Sequence, residues 1–238
     1  MSPGKRLKRR LISYSLIPLL REAVRARGRR DAVFIWVPKA AGTSVYNCLD
    51  APKLKSLNYV KYRFPGRGIV TFGHMDYLAL VRKGYVSARF DRNSYKFAFV
   101  RNPYDRAVSL FSYLKSRGKI PEDQSFLDFL RRLIDEGFEP IGLYNVQGLS
   151  QCNPQVRWIE NIDMGFVGKV ESLEQDFSVV CRALRMEHVD LPRLNESSRD
   201  TYENYMCVES RQIIEHLYRE DFEAFGYERL EESGVQSV

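Results

Sequence analysis

Short apolar runs alternate along this chain with longer segments in which apolar residues recur every three or four positions. The short runs are typical of buried strands, and the longer segments are typical of helices with one apolar face. This alternation predicts an α/β protein whose parallel sheet is flanked by helices on both faces. The predicted strands are residues 33–37, 69–72, 96–100 and 166–170.

The predicted helices have recognisable ends. Apolar residues recur at helical spacing between Ser125 and Gly137, which predicts an N-cap at the serine and a stop at the glycine. Ser172 and Gln175 have the spacing of a capping box at the start of a second helix. A last, long helix is predicted to end near Gly226.

The positive charge of the chain is concentrated near its N-terminus. The 238 residues carry a net charge of +7, and residues 1–30 hold ten Lys or Arg and one acid. The remainder is nearly neutral, whereas a nucleic-acid-binding domain is expected to carry a basic stripe on its fold. We therefore predict a basic arm (1–30), one folded domain (31–230), a flexible tail (231–238) and no nucleic-acid partner.

The arm contains an apolar segment, 11–20, between two basic clusters. Ten residues are too few to span a bilayer, which needs about 20, and arginines follow where a signal peptide would have its cleavage site. Two interpretations remain open: peripheral membrane contact through residues 5–30, at the inner face of the membrane, or a solvated extension packed on the domain. The four cysteines have neither metal spacing nor a disulfide pattern, so we expect a cytoplasmic protein and no metal.

The first candidate binding site follows the predicted strand 33–37. Pro38 and Lys39 come directly after this strand, and the small-residue turn 40–44 leads into a helix. Unpaired N–H groups and the helix dipole at such a turn favour an anion, and Lys39 adds a full positive charge. The sequence therefore predicts a phosphate-binding loop.

A second candidate site follows the predicted strand 96–100. Arg101 ends this strand, Pro103 suits the first turn of a helix, and Ser109 lies about two turns further along. A guanidinium binds phosphate through two donors, and a hydroxyl adds another bond. Two such strand ends indicate a ligand with two separate phosphates, although an ion pair of Arg101 with Asp105 and a surface position for Ser109 remain alternatives.

Both motifs resemble those of the family 2 carbohydrate sulfotransferases, which include the heparan sulfate 2-O- and chondroitin sulfotransferases and bacterial relatives. Residues 38–44 resemble the 5′-phosphosulfate loop of that family, and residues 101–109 resemble its 3′-phosphate motif. The resemblance implies a P-loop-NTPase-like fold and extends over residues 31–230 through four shorter matches: 73–75, 166–173, 194–198 and 221–227.

The resemblance also implies the donor, 3′-phosphoadenosine 5′-phosphosulfate (PAPS), used as co-substrate without a metal. Arg101 and Ser109 would hold its 3′-phosphate, and Asn195 and Ser197 would line the nucleotide pocket. The first loop would hold the 5′-phosphosulfate through five residues: Lys39, Ala41, Gly42, Thr43 and Ser44.

His74 is the candidate general base, because it follows the strand 69–72 and its reference pKa lies near neutrality, at about 6.5. Lys39 would stabilise the leaving oxygen. A structural histidine is the alternative, and Arg106 is either a surface charge or a second phosphate contact.

We expect a carbohydrate or glycolipid acceptor, because the chain lacks the C-terminal nucleotide motif of the aryl sulfotransferases. The loops 51–68 and 138–160 are candidates for binding it, and Trp158 and Tyr144 either stack on a sugar or pack in the protein.

Two other functions remain open. A nucleotide-dependent kinase would share the phosphate loop, but Lys39 precedes Gly42 by three residues, whereas the Walker motif places its lysine after the second glycine. A non-catalytic membrane-surface module would explain the basic arm, but it has no need of Lys39, His74, Arg101 and Ser109 together. The oligomeric state is not predicted.

Overall fold

The structure, a computed structural model, describes residues 30–49, 51–139, 149–187, 191 and 201–230. Several predictions fall outside these residues: the arm up to residue 29, Tyr144, Asn195, Ser197 and the tail 231–238.

The strands of the described residues form one parallel sheet. They are β1 (Ala32–Ile35), β2 (Ile69–Thr71), β3 (Tyr95–Val100) and β4 (Phe166–Lys169), in the spatial order β2-β1-β3-β4. Each lies where the sequence predicted it, shifted at its ends by one or two residues. The predicted α/β fold with a parallel sheet is therefore confirmed.

Both faces of the sheet are buried, as expected for strands that read as continuous apolar runs. Val33 and Ile35 of β1 belong to one apolar cluster. Phe34 of the same strand lies in a second cluster with Phe97 and Phe99 of β3. Successive side chains of β1 point to opposite faces of the sheet, so this strand contributes to the apolar core on each face.

The helices cover these faces. In chain order they are α1 (Gly42–Cys48), α2 (Leu57–Arg63), α3 (Tyr77–Arg82), α4 (Ala88–Asn93), α5 (Pro103–Ser116), α6 (Phe126–Glu136), α7 (Leu173–Leu184), α8 (Val208–Leu217) and α9 (Arg219–Phe225). Short 3₁₀ turns span Gln155–Trp158, Val170–Ser172 and Tyr202–Tyr205. No helix in the described ranges is long and apolar enough to cross a membrane.

Helix α6 matches its prediction at both ends. The Ser125 hydroxyl accepts a bond from the Asp128 N–H at 3.1 Å, and Gly137 follows the last turn with φ of 75°.

Two details of the helix prediction are wrong. Ser172 makes no capping bond to the backbone of α7, because its hydroxyl donates to the Asp176 carboxylate at 2.8 Å and a 3₁₀ turn precedes the helix. The last long helix is two helices, α8 and α9, separated at the fully buried Tyr218, whose φ of −114° and ψ of 24° are not helical. Gly226 ends α9 in the left-handed conformation, as predicted.

The order of the strands determines where a ligand binds. From β1 the chain goes to β2 on one side and then to β3 on the other side of β1. The carboxyl ends of β1 and β3 therefore flank a topological switch point, where open parallel sheets bind their ligands. Both predicted phosphate loops leave the sheet at these ends.

Candidate active site

The loop after β1 turns sharply before it enters α1. Lys39 and Ala41 both have left-handed backbones, with φ of 66° and 51°. Few residues other than glycine adopt this conformation, and such backbone strain is concentrated at functional sites. The loop thus has a constrained path, as a preformed anion cradle requires.

Gly42, the first residue of α1, lies directly beneath the Trp36 indole. A Cβ atom at Gly42 would come 1.8 Å from Nε1 of Trp36, so no other residue fits without moving the ring. Trp36 itself is 5% exposed and stacks on Phe34 and Tyr46 at centroid distances of 5.8 and 5.5 Å. The tryptophan therefore fixes the start of the helix against the sheet.

The other predicted residues of this loop differ in exposure. Thr43 is exposed, Ala41 is half-buried, and Ser44 is buried on the helix. The Lys39 ammonium lies 4.2 Å from the centroid of the Tyr113 ring on α5, a cation–π contact. Lys39 thus links the first loop to the helix that follows the second loop.

His74 follows β2 in the chain and lies at the same edge of the sheet. Gly73 has φ of 60°, a left-handed turn that takes the chain from β2 to the histidine. Nδ1 of His74 lies 2.9 Å from the carbonyl oxygen of Trp36. A carbonyl only accepts hydrogen bonds, so Nδ1 carries the proton and Nε2 of the neutral ring keeps its lone pair. This is the tautomer that a general base needs.

The imidazole is enclosed by the two tryptophans of the chain. Trp36 and Trp158 both meet it edge-on, at centroid distances of 5.3 and 6.3 Å. Burial lowers the pKa of His74 to about 4; the bond to the Trp36 carbonyl opposes this shift, and the charges of Lys53 and Lys39 add to it. His74 is therefore neutral at pH 7. Trp158 is 4% exposed, which favours packing over the stacking on a sugar that was its alternative.

The second loop, after β3, is held by a buried glutamine. Gln155 accepts a bond from the Arg101 N–H at 2.9 Å and donates to the Arg101 carbonyl at 2.8 Å. The N–H groups of Gln155 and Val156 both bond to Asp221 of α9, at 2.9 Å each. The backbone of Arg101 is thus fixed through the 3₁₀ turn and the last helix.

The Arg101 side chain forms the ion pair that was one of its two predicted roles. Its Nε and Nη2 atoms lie 2.6 and 2.5 Å from Oδ2 of Asp105. About a fifth of each side chain is exposed, so the ion pair is partly accessible to solvent. The pair orients the guanidinium, and its presence does not decide whether Arg101 binds phosphate. Ser109 is half-buried on α5, two turns further along.

Two separate parts of the chain meet the second loop. Glu171, after β4, accepts the Asn102 N–H at 2.6 Å and the Tyr227 hydroxyl at 3.0 Å. The shorter sequence matches at 166–173 and 221–227 therefore lie at this loop.

Arg106 is neither a surface charge nor a phosphate contact: it is 1% exposed. Its Nε donates to the Pro38 carbonyl at 3.1 Å, and its Nη2 donates to the carbonyls of Gln151 and Asn153 at 2.8 and 2.9 Å. The side chain thereby ties the first loop to the helix of the second. No local pattern indicates this role, because most arginines are exposed to solvent.

Sequence reasoning also missed Gln155, Glu171 and Lys53. The first two bind backbone groups of the second loop, a contact between distant parts of the chain that has no local pattern. Lys53 lies in a segment that was predicted to be a loop, and helix α2 occupies residues 57–63 of that segment. No group of three His, Cys, Asp or Glu within the described residues is arranged to hold a metal ion.

A parallel sheet flanked by helices is the fold of a solved sulfotransferase. The crystal structure of mouse sulfotransferase SULT7A1 complexed with PAP has this fold, with a TM-score of 0.54, 14% identity and 93% coverage of both chains. Residues 25–228 match the Sulfotransferase family, and the chain belongs to that family.

Two relatives are carbohydrate sulfotransferases. The chain is 27% identical to carbohydrate sulfotransferase 10 of Xenopus laevis over 175 residues, 57% of this chain and 48% of that protein. It is 25% identical to carbohydrate sulfotransferase 12 of Mus musculus over 178 residues, 57% of this chain and 41% of that protein. The matches span about half the length of these relatives or less. The resemblance to the carbohydrate sulfotransferases is confirmed, whereas the roles of individual site residues stay predictions.

Proposed function

We propose that this protein is a PAPS-dependent sulfotransferase that transfers the sulfuryl group to a hydroxyl of a carbohydrate or glycolipid. The observation that carries the proposal is the bond from Nδ1 of His74 to the carbonyl of Trp36. This bond orients the neutral His74 ring toward the end of β1, just before the loop that carries Lys39. The candidate base and the cation therefore lie at the same edge of the sheet.

The two loops suit a donor with phosphates at both ends of its ribose. Lys39 and residues 41–44 form the first cationic end, and Arg101 with Ser109 forms the second. The Arg106 side chain holds the two loops together through the Pro38 carbonyl. The PAP in complex with the mouse sulfotransferase is the desulfated form of the proposed donor.

The proposed reaction is a direct displacement at sulfur. Nε2 of His74 takes the proton of the acceptor hydroxyl as the acceptor oxygen forms a bond to sulfur. The bond between sulfur and the bridging oxygen of the 5′-phosphate breaks, and its electron pair stays on that oxygen. The Lys39 ammonium stabilises the resulting charge. The products are the sulfated acceptor and adenosine 3′,5′-bisphosphate (PAP).

Helix α2 offers a surface for the acceptor. Tyr59 and Tyr62 are 48% and 37% exposed, which is unusual for large aromatic side chains. Arg63 and Lys61 lie over these rings, at 5.3 and 5.4 Å from the ring centroids. Aromatic faces beside cations suit a sugar that carries negative charge.

Calorimetric titration with PAP, in parallel with ATP plus magnesium, tests the donor. We expect PAP to bind at micromolar strength and ATP to give no response, and we expect Arg101→Ala to weaken PAP binding. Binding of ATP alone would overturn the proposal in favour of the kinase. Binding of PAP without transfer to any acceptor would favour the non-catalytic module. Cytoplasmic location and membrane contact of residues 5–30 remain predictions.

A further inference from the structure

We propose that Lys53 is a second cation of the transfer site and binds the sulfuryl group of the donor beside His74. This assignment rests on the proposed function, because it presumes that PAPS is the donor.

The backbone of Lys53 is built onto the end of β2. Lys53 pairs in parallel with Thr71. The Leu54 N–H donates to the Thr71 carbonyl at 2.9 Å, and the Thr71 N–H donates to the Pro52 carbonyl at 3.3 Å. Thr71 is three residues before His74, so the same strand end positions the lysine and the candidate base.

The side chain of Lys53 lies over the tryptophan ring that also contacts that base. Its Nζ lies 3.5 Å from the centroid of the Trp36 indole and 5.2 Å from that of Tyr46. The Trp36 centroid is in turn 5.3 Å from that of the His74 ring. The ammonium therefore lies no further from the centre of the imidazole than these two distances combined.

Within the described residues, the charge of Lys53 has no counter-ion. The side chain is half-buried, and no carboxylate of the described residues forms an ion pair with it. Burial, with a smaller effect from the charge of Lys55, lowers the pKa of Lys53 to about 8, which leaves it protonated at pH 7. A partly desolvated cation gains most from an anion that arrives with the ligand.

Lys39 and Lys53 both act on the His74 imidazole, since each charge lowers its pKa. The acceptor hydroxyl has to reach His74, and the sulfur has to lie next to that hydroxyl. The sulfuryl oxygens therefore come to rest among two ammoniums and the imidazole. Lys39 is assigned to the bridging oxygen between sulfur and the 5′-phosphate. Lys53 is therefore assigned to the three oxygens of the sulfuryl group, which move to the acceptor.

PAPS and PAP differ only by the sulfuryl group, so their relative affinity tests the assignment. In a His74→Ala background, which slows turnover, we expect Lys53→Gln to weaken PAPS binding about tenfold, as for loss of a bond to a charged group. PAP binding should not change. Lys53→Arg should restore part of the preference for PAPS. Lys55→Gln removes the same charge from an exposed position two residues away, and it should leave both affinities unchanged.

A second readout uses the histidines, of which the chain has only three. By NMR titration of the protein with His74 intact, Lys53→Gln should raise the pKa of His74, and Lys53→Arg should keep it low. Equal weakening of PAPS and PAP by Lys53→Gln would overturn the assignment to the sulfuryl group. An unchanged ratio of affinities, or an equal effect of Lys55→Gln, would do so too. If the His74→Ala parent and the native protein both fail to bind PAP, the proposed function itself is overturned.

Discussion

Two ends of the sheet hold their cations in different ways. At the ends of β1 and β2, Lys39 and Lys53 lie over aromatic rings. At the ends of β3 and β4, Arg101 is held by backbone hydrogen bonds and a side-chain ion pair. The first region, here called the transfer end, places positive charge on apolar surfaces beside a neutral histidine. The second, here called the nucleotide end, satisfies its cation with Asp105 and its backbone with Gln155.

The difference follows from what each end is proposed to do. A charge in a partly buried site acts strongly on charge that develops during a reaction, because the surroundings are less polar than water. A phosphate that stays unchanged through the reaction needs a rigid frame instead, and hydrogen bonds provide one. Substitutions at the transfer end should therefore change chemistry, and those at the nucleotide end should change affinity.

The largest effect is expected where the two ends are joined. Arg106→Met should cost about 3 to 5 kcal/mol of unfolding free energy, the range for removing one partner of a buried charge, because it leaves three carbonyls without their donor and removes the positive charge that lowers the pKa of the buried Asp221. Urea unfolding measures this loss. Arg131→Met, at a half-exposed arginine paired with Glu209, is the matched control and should change stability far less. Equal losses would show that Arg106 does not join the loops.

A smaller effect is expected from Gly42→Ala at the transfer end. The added methyl group collides with the Trp36 indole, and we expect a cost of about 1 to 3 kcal/mol, as for overpacking a filled core. Because Trp36 also holds His74, turnover should fall together with PAP affinity. Asn47→Ala, on the exposed side of the same helix, provides the comparison. Normal turnover in Gly42→Ala would mean that the indole moves without consequence.

Gln155→Ala tests the frame of the nucleotide end. Both of its bonds to Arg101 disappear, so the backbone of Arg101 is less well fixed. We expect PAP to bind about tenfold more weakly, which corresponds to a loss of about 1.4 kcal/mol of binding free energy. The pKa of His74 should stay the same, since Gln155 has no charge. Calorimetry and NMR titration measure the two quantities. A shifted pKa of His74 with unchanged PAP affinity would reverse the roles that we assign to the two ends.

The pH dependence of stability isolates His74. Its pKa is about 4 in the folded protein and about 6.5 in the unfolded chain, so the unfolded chain binds more protons between these values. Stability should therefore fall as the pH drops from about 6.5 to about 4, with no contribution from His74 above that window. Unfolding of His74→Gln by urea at several pH values should show a shallower loss. An identical slope in both proteins would contradict the low pKa.

The sheet and the first loop were predictable because local patterns encode them. The strands are continuous apolar runs, and Gly42 with its small neighbours marks a turn that needs close backbone packing. The capping box failed because the Ser172 hydroxyl has a better acceptor in Asp176. The break at Tyr218 has no local signal, since it depends on where that ring fits in the core.

The residues that position the site were not predictable, because their contacts join distant parts of the chain. Gln155 lies 54 residues from Arg101, and Arg106 lies 68 residues from Pro38. Their partners are backbone atoms, which carry no residue identity, so neither spacing nor composition reveals these pairs. The candidate residues of the site could be selected by residue type, whereas the contacts that hold them in place required the fold.

The central claim is tested most directly by an assay of sulfuryl transfer. It measures transfer of the labelled group from PAPS to a panel of carbohydrate and glycolipid acceptors, for the native protein and for His74→Ala. We expect the native protein to sulfate at least one acceptor and the variant to lose about 10²- to 10⁴-fold in rate, the usual contribution of a general base. PAP affinity should remain near its native value in the variant. Transfer by His74→Ala at the native rate would contradict the account.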